Sequence, residues 1–268
     1  KAQRKFSGEN ALEYVAYQVS LGPRTISSEA HRNVRTWIIN QLASAGWETE
    51  VQEYSWNSNG FYNIIGKQGN SEQWIVIGAH YDSRLIADRD PNAIHRTQPV
   101  PGANDGASGV AVLLELAQCL PKNLSKTIWL VFFDAEDNGN ITGYDWILGS
   151  RAFVNELQSK PDQAIIVDMV GDQVLSLYME QNSDKKLAET IWHVAEKMEF
   201  KEFIPYPKYR ILDDHVPFLE AGVPAVDIID FDYPYWHTSQ DTLDKISARS
   251  LFIVGETLRV WLIGENQR

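Results

Sequence analysis

Cysteine is almost absent from this sequence. One cysteine, Cys119, occurs among 268 residues, which excludes an internal disulfide bond and a zinc site built from thiolates. Cys119 falls in an apolar helical pattern that includes Val110, Leu113 and Leu120, and small core residues commonly occupy such positions. We therefore predict a packing role for Cys119 and no chemical one.

Long apolar runs and clusters of basic residues are absent as well. No stretch approaches the about 20 apolar residues that a membrane-spanning helix needs, so we expect no membrane span. Lys and Arg number 24 against 36 Asp and Glu, which gives a formal charge of −12. An acidic chain repels the phosphates of nucleic acids and of anionic lipids. We expect neither as a partner, and the charge mildly favours substrates that carry a free amine.

Several catalytic signatures are also missing. The sequence contains no G-x-S-x-G elbow, no P-loop and no G-x-G-x-x-G after a strand. These absences argue against an elbow-type serine hydrolase and against the common nucleotide sites. Ser108 in "GASG" lacks the partners of a catalytic triad, so we predict that it packs at the start of a helix.

What the sequence does contain is an alternation of helical and strand patterns. Helical patterns cover residues 10–20, 28–45, 107–120, 151–158, 185–198 and 248–263, and strand patterns cover residues 47–54, 61–65, 74–79, 127–133, 164–169 and 224–229. Strands separated by helices of this length are typical of parallel sheets covered on both faces. We predict a single α/β catalytic domain over residues 1–268, with helices on both faces of a twisted, mostly parallel central sheet.

Acids and histidines follow the ends of the predicted strands, where binding sites lie in sheets of this class. They are His80, Asp82, Asp105, Glu136, Asp137, Asp168, Asp213, Asp214, His215 and His237. A single acid in such a place is usually a cap or turn residue, which is our interpretation of Asp241 and Asp244. So many acids and histidines at the ends of separate predicted strands indicate a shared site. Carboxylates together with imidazoles suit Zn²⁺ or a similar ion.

The stretch "FFDAEDNG" gives a reason to expect that ion. Asp134, Glu136 and Asp137 stand together at the end of an apolar strand. Like charges this close repel one another unless positive charge lies among them. We therefore expect a divalent cation close to Glu136 and Asp137, and a structural role for Asp134.

Taken together, these motifs resemble the zinc-dependent exopeptidases of family M28. The resemblance is carried by "HYD" at 80–82, "NDGASG", the acidic pair after "FFD", Asp168 and "WHT" at 236–238, and it extends from about Gly22 to the final helix. Within the family, the closer likeness is to the glutaminyl cyclases. The insertion at 83–104, the run "DDHVPFLEAGVPAVDII" and the Trp before His237 carry that likeness.

Carried over residue by residue, the resemblance implies one zinc ion held by Asp105, Asp137 and His237. It implies that Glu136 is the general acid and base. Two further acids are implied to complete a hydrogen-bond network: Asp168 and Asp213. Position 137 is commonly Glu in the family and is Asp here, one methylene shorter, so ligation there needs a backbone shift or a different denticity.

The resemblance also implies a narrow substrate pocket with aromatic walls. Trp236 is one expected wall, and Trp146 is the nearest candidate for a tryptophan that animal cyclases carry at a different spacing. We expect the insertion at 83–104 to narrow the entrance. His80 and Asp82 are implied either as ligands of a second metal ion or as residues that support the first site.

The implied function is that of a zinc-dependent glutaminyl cyclase. Such an enzyme converts the N-terminal Gln of peptides or proteins to pyroglutamate and releases ammonia. The alternative is an M28-type aminopeptidase with one or two zinc ions, the second held by His80, Asp105 and Asp168. A binding module without activity is less favoured, because every expected ligand position keeps an acid or an imidazole. The resemblance further implies export, periplasmic or secreted, with a signal segment absent from this chain.

Overall fold

The protein is built around one six-stranded sheet. The structure, a computed structural model, describes residues 4–57 and 59–265, with Glu265 described by its backbone alone. Within these residues the strands are β1 (Glu48–Trp56), β2 (Asn59–Gln68), β3 (Trp74–His80), β4 (Thr127–Phe133), β5 (Gln163–Asp168), β6 (Leu177–Met179), β7 (Phe203–Pro207) and β8 (Ala225–Ile229). The helices are α1 (Gly8–Ser20), α2 (Glu29–Ser44), α3 (Ala107–Cys119), α4 (Leu148–Glu156), α5 (Lys185–Lys197), α6 (Val216–Glu220) and α7 (Ala248–Glu265).

The order of strands in the main sheet is β1-β2-β4-β3-β5-β8. The pairings among β4, β3, β5 and β8 are parallel, whereas β1 and β2 add an antiparallel edge. All seven residues of β3 are buried, as expected of a central strand covered on both faces. The carboxyl ends of the four parallel strands therefore open at one edge of the sheet, and the site lies there.

Alternate residues of the central strands enter two separate cores. Ile75 and Ile77 of β3 face the larger core, which also holds the buried sides of α1, α2, α3, α5 and α7. Val76 of β3 faces the opposite core together with Phe153 of α4 and Phe218 of α6. This division follows from the period of two along a strand. It fixes the strands rigidly beneath the loops that carry the polar residues.

The predicted α/β class and its mostly parallel sheet with helices on both faces are confirmed. The helix predicted at 151–158 is wrong at its start, because α4 begins at Leu148. Gly149 lies in the first turn of this helix and allows a close approach, since a Cβ there would lie 2.3 Å from the carbonyl oxygen of Asp134. The short strands β6 and β7 were not predicted. No helix among the described residues is long and apolar enough to cross a membrane.

Two glycines give a matched test of this packing. A Cβ on Gly109, in the first turn of α3, would lie 2.2 Å from the carbonyl oxygen of Val167 and 2.9 Å from Cβ of Ala79. Gly109→Ala should therefore lower the free energy of unfolding by about 1–3 kcal/mol. Gly264 of α7 has no heavy atom within 4 Å of an added Cβ, so Gly264→Ala should cost nothing and add at most about 1 kcal/mol. Urea unfolding measures both. Equal stability of the two variants would contradict the packing described here.

Candidate metal centre and active site

The chemically able residues converge at the carboxyl ends of the parallel strands. His80 ends β3 and Asp168 ends β5. Glu136 and Asp137 come soon after β4, following a turn in which Ala135 has a left-handed φ of 57°. Asp105 lies just before α3. His237 lies in the loop after β8, and Asp213 lies in the loop before α6. All of these residues are at most 8% exposed, and they lie together at one edge of the sheet.

One group of potential metal ligands consists of Asp105, Asp137 and His237, whose ligand atoms all lie within 4.8 Å of one another. Nε2 of His237 is 2.8 Å from Oδ1 of Asp137 and 3.7 Å from Oδ2 of Asp105. The Oδ2 atoms of both aspartates are buried without a hydrogen-bond partner. Buried carboxylate oxygens are costly unless something satisfies them. Two such oxygens beside an imidazole nitrogen fit a divalent cation, and the shorter Asp137 side chain reaches the group.

A second potential group shares Asp105 and adds His80 and Asp168. Here Nε2 of His80 lies 3.2 Å from Oδ1 of Asp105 and 3.2 Å from Oδ1 of Asp168. These are ion-pair distances, so a protonated His80 would place positive charge between the two acids. The pKa of His80 is correspondingly raised well above its usual value: burial opposes the charged form, but Asp168 and the hydrogen bonds to the acids outweigh it.

Burial makes the remaining acids hard to ionise. It raises the pKa of Glu136 well above its usual value, with neighbouring acids, Asp137 first among them, adding to the effect while His80 opposes it. Burial likewise raises the pKa of Asp137 to about 6 and that of Asp168 to about 7. A cation between Asp105 and Asp137 would relieve this repulsion and favour their ionised forms.

Asp82 supports the shared site from below, with Oδ1 3.5 Å from Nδ1 of His80, whereas Asp134 lies outside the site. Oδ1 of Asp82 accepts a hydrogen bond of 3.1 Å from the N–H of Glu136, and Oδ2 accepts one of 3.4 Å from the N–H of Asp137. Asp82 thus orients the turn that presents the acidic pair. Asp134 lies 2.7 Å from Nε2 of His31 and accepts the N–H of Tyr62 at 2.8 Å, so its place is structural.

The site opens into a pocket of about 220 Å³. Two tryptophans flank the His237 ring: the centroid of Trp236 lies 3.9 Å away, and that of Trp146 lies 6.0 Å away with its plane within 13° of parallel. The lining residues are Asp105, Glu136, Asp137, Trp146, Asp168, Met169, Arg210, Ile211, Leu212, Asp213, Ile229, Phe231, Trp236 and His237. The pocket therefore has an acidic floor and largely apolar, aromatic walls.

The insertion at 83–104 does not line this pocket, so its expected role at the entrance is wrong. It supports the walls from behind instead. Arg84 donates to the carbonyl oxygen of Asp137 at 2.9 Å and lies 5.0 Å from the ring centroid of Trp146. Arg89 lies 4.2 Å from the ring centroid of Trp236, and its N–H donates to the carbonyl oxygen of His237. Sequence reasoning missed both arginines because it considered only acids, histidines and aromatics.

The chain belongs to peptidase family M28, whose family model matches residues 63–262. The solved structure of Tannerella forsythia glutaminyl cyclase is 32% identical with a TM-score of 0.91, over 97% of this chain and 99% of that one. The Drosophila melanogaster glutaminyl-peptide cyclotransferase is 27% identical over 263 residues, which cover 84% of this chain and 72% of that protein.

An aminopeptidase also resembles the chain. The crystal structure of a leucine aminopeptidase precursor from Bacteroides thetaiotaomicron is 30% identical with a TM-score of 0.93, over 97% of this chain and 98% of that one. The predicted family and the predicted likeness to glutaminyl cyclases are confirmed. Because the overall fold is equally close to both kinds of relative, the choice between their reactions depends on the site.

Proposed function

We propose that the chain is a zinc-dependent glutaminyl-peptide cyclotransferase acting on peptides and proteins with a free N-terminal Gln. The main support is one observation: the group of Asp105, Asp137 and His237 and the carboxyl of Glu136 open into the same small pocket. The cyclases similar to this chain add weight to that interpretation. Export to the periplasm or the medium rests only on the likeness to these relatives and is proposed with the function.

The reaction needs one bond to form and one to break within a single substrate residue. The α-amine nitrogen of the N-terminal Gln attacks the carbonyl carbon of its own side-chain amide, and the bond from that carbon to the amide nitrogen breaks. One proton leaves the attacking amine, one is added to the departing nitrogen, and ammonia is released. Because both reacting groups belong to one residue, the enzyme has to fold the side chain back and manage the proton.

Asp105, Asp137 and His237 would hold the zinc ion, which when bound supplies Lewis-acid polarisation of the amide carbonyl. The Glu136 carboxylate takes the proton from the attacking amine and returns it to the leaving nitrogen. Burial raises the pKa of Glu136, and a pKa nearer to the working pH suits a group that must both accept and donate a proton. Asp168 lines the same pocket and helps to attract the amine.

A single ion is favoured by the way the oxygens of Asp105 are divided. Oδ1 faces His80 at 3.2 Å, whereas Oδ2 is without a hydrogen-bond partner and faces His237. A protonated imidazole of His80 would serve Asp105 and Asp168 in place of a second cation. The one-ion arrangement is the one that we assign to the cyclase.

An aminopeptidase is the second candidate. The observation in its favour is the group of His80, Asp105 and Asp168, whose ligand atoms could converge on a second ion. The reaction would then be cleavage of the first peptide bond by water, with Glu136 as the base. The pocket that Trp146 and Trp236 help to line is small, about 220 Å³, and a small pocket favours a single residue type over a range of side chains, which supports the cyclase.

Replacing the proposed proton carrier tests its role. Glu136→Gln keeps the size of the side chain but removes the base, so turnover should fall by about 100- to 10,000-fold while the zinc content is unchanged. Glu220→Gln is the control, since Glu220 is exposed on α6 and pairs with Arg151. Steady-state kinetics and metal analysis measure both variants. Near-normal turnover of Glu136→Gln would exclude this residue as the base.

The product distinguishes the two candidate reactions. A peptide that begins with Gln-Ala should lose roughly 17 Da, the mass of ammonia, and remain in one piece with a blocked N-terminus. A Leu-Ala peptide should stay intact, because a site built to hydrogen-bond an amide discriminates strongly against a residue without one. Mass spectrometry of both incubations gives the answer. Release of free leucine, with the Gln peptide unchanged, would establish the aminopeptidase instead.

A further inference from the structure

The segment that carries Asp105 is held by buried charged groups on two sides. On the first side is Arg24, which is fully buried. Its guanidinium donates to the carbonyl oxygens of Tyr81 at 3.3 Å, Pro101 at 2.9 Å and Gly102 at 2.5 Å. The bonds to Pro101 and Gly102 fix the path of the chain just before Asp105, and the bond to Tyr81 ties that segment to the end of β3.

On the second side is Asp241, which is also fully buried. Its Oδ1 accepts hydrogen bonds from the N–H of Asn104 at 2.8 Å and from the hydroxyl of Tyr233 at 2.7 Å, and its Oδ2 accepts one from the N–H of Asp105 at 3.2 Å. Its carbonyl oxygen accepts the N–H of Ala103 at 3.2 Å. The interpretation of Asp241 as a turn residue is therefore wrong, because its carboxylate anchors a segment 137 positions away.

Asp241 belongs to the same loop as His237. The N–H of Asp241 donates to the carbonyl oxygen of Thr238, and the N–H of Thr238 donates to that of Tyr235. Within the turn from Tyr235 to Thr238, His237 has a left-handed φ of 57°. Surrounding contacts must maintain that conformation in a residue with a side chain. One carboxylate therefore connects the loop that carries His237 to the backbone of Asp105.

We propose that Asp241 is a positioning residue for the metal centre, which sets the distance between Asp105 and His237 and thereby the affinity for zinc. This inference rests on the zinc site of the proposed function. Its physical basis is that both carboxylate oxygens accept backbone N–H groups. An asparagine side chain has one acceptor and one donor end, so in either orientation its NH₂ would face an N–H group of the Asp105 segment.

The experiment compares Asp241→Asn with Asp244→Asn in the full chain. The control makes the same Asp-to-Asn change three positions away, but the Asp244 carboxylate is exposed and among the described contacts bonds only to Thr242 and Lys245. Zinc affinity is measured by competition with a chelator, using Zn²⁺ alone. Because supporting residues of this kind are worth about 10- to 100-fold in metal affinity, Asp241→Asn should weaken zinc binding by that factor. Asp244→Asn should match the unaltered protein.

Urea unfolding of the metal-free proteins first establishes that Asp241→Asn is folded under the conditions of the zinc measurement. A positioning role predicts that folded Asp241→Asn regains activity when excess zinc is added, which a purely structural defect would not allow. Tyr233→Phe is a milder second variant that keeps the carboxylate and loses only the hydroxyl donor, and it should weaken zinc binding by a smaller factor. Zinc affinities of both variants within twofold of Asp244→Asn would overturn the inference. Absence of zinc binding by the unaltered protein would instead overturn the zinc site itself.

Discussion

Repulsion among buried carboxylates is the constraint on which the rest of the site depends. Asp105, Glu136, Asp137 and Asp168 are all nearly inaccessible to water. Burial, with a further contribution from neighbouring acids, raises the pKa of the last three. Such a cluster can stay folded and ionised only with positive charge among the acids. A protonated His80 would supply part of it, and unpaired oxygens on Asp105 and Asp137 define where a bound cation would supply the remainder. The same electrostatic demand thus accounts for both the proposed metal site and the raised pKa of the proposed base.

The scaffold meets this demand because its central strands are rigid and its loops are tied together. β3 and β4 enter two cores at once, so His80 and the acidic pair after β4 leave the sheet at fixed points. The loops add hydrogen bonds that reach across the chain, from Asp82 to the turn at Glu136 and from Arg84 to the carbonyl of Asp137. The insertion at 83–104 contributes by supporting the aromatic walls from behind rather than by closing the pocket.

Much of this arrangement could be predicted from the sequence, because it depends on patterns among neighbouring residues. The uninterrupted apolar runs at 74–79 and 127–133 identify central strands, and polar residues after such strands must gather at one edge of the sheet. The anchoring by Arg24 and Asp241 could not be predicted, because a hydrogen bond to a distant backbone N–H leaves no trace in local residue order. The strands β6 and β7 escaped detection because they are short and β7 contains prolines.

The central claim is that one cation, held by Asp105, Asp137 and His237, neutralises the acidic cluster, while His80 takes the place of a second. Anomalous diffraction from crystals of the zinc-loaded protein, collected on both sides of the zinc absorption edge, tests it most directly. The account predicts a single strong peak within bonding distance of Asp105, Asp137 and His237, and no peak between His80 and Asp168. An absent peak at the first position, or a second one of equal height beside His80, would contradict it.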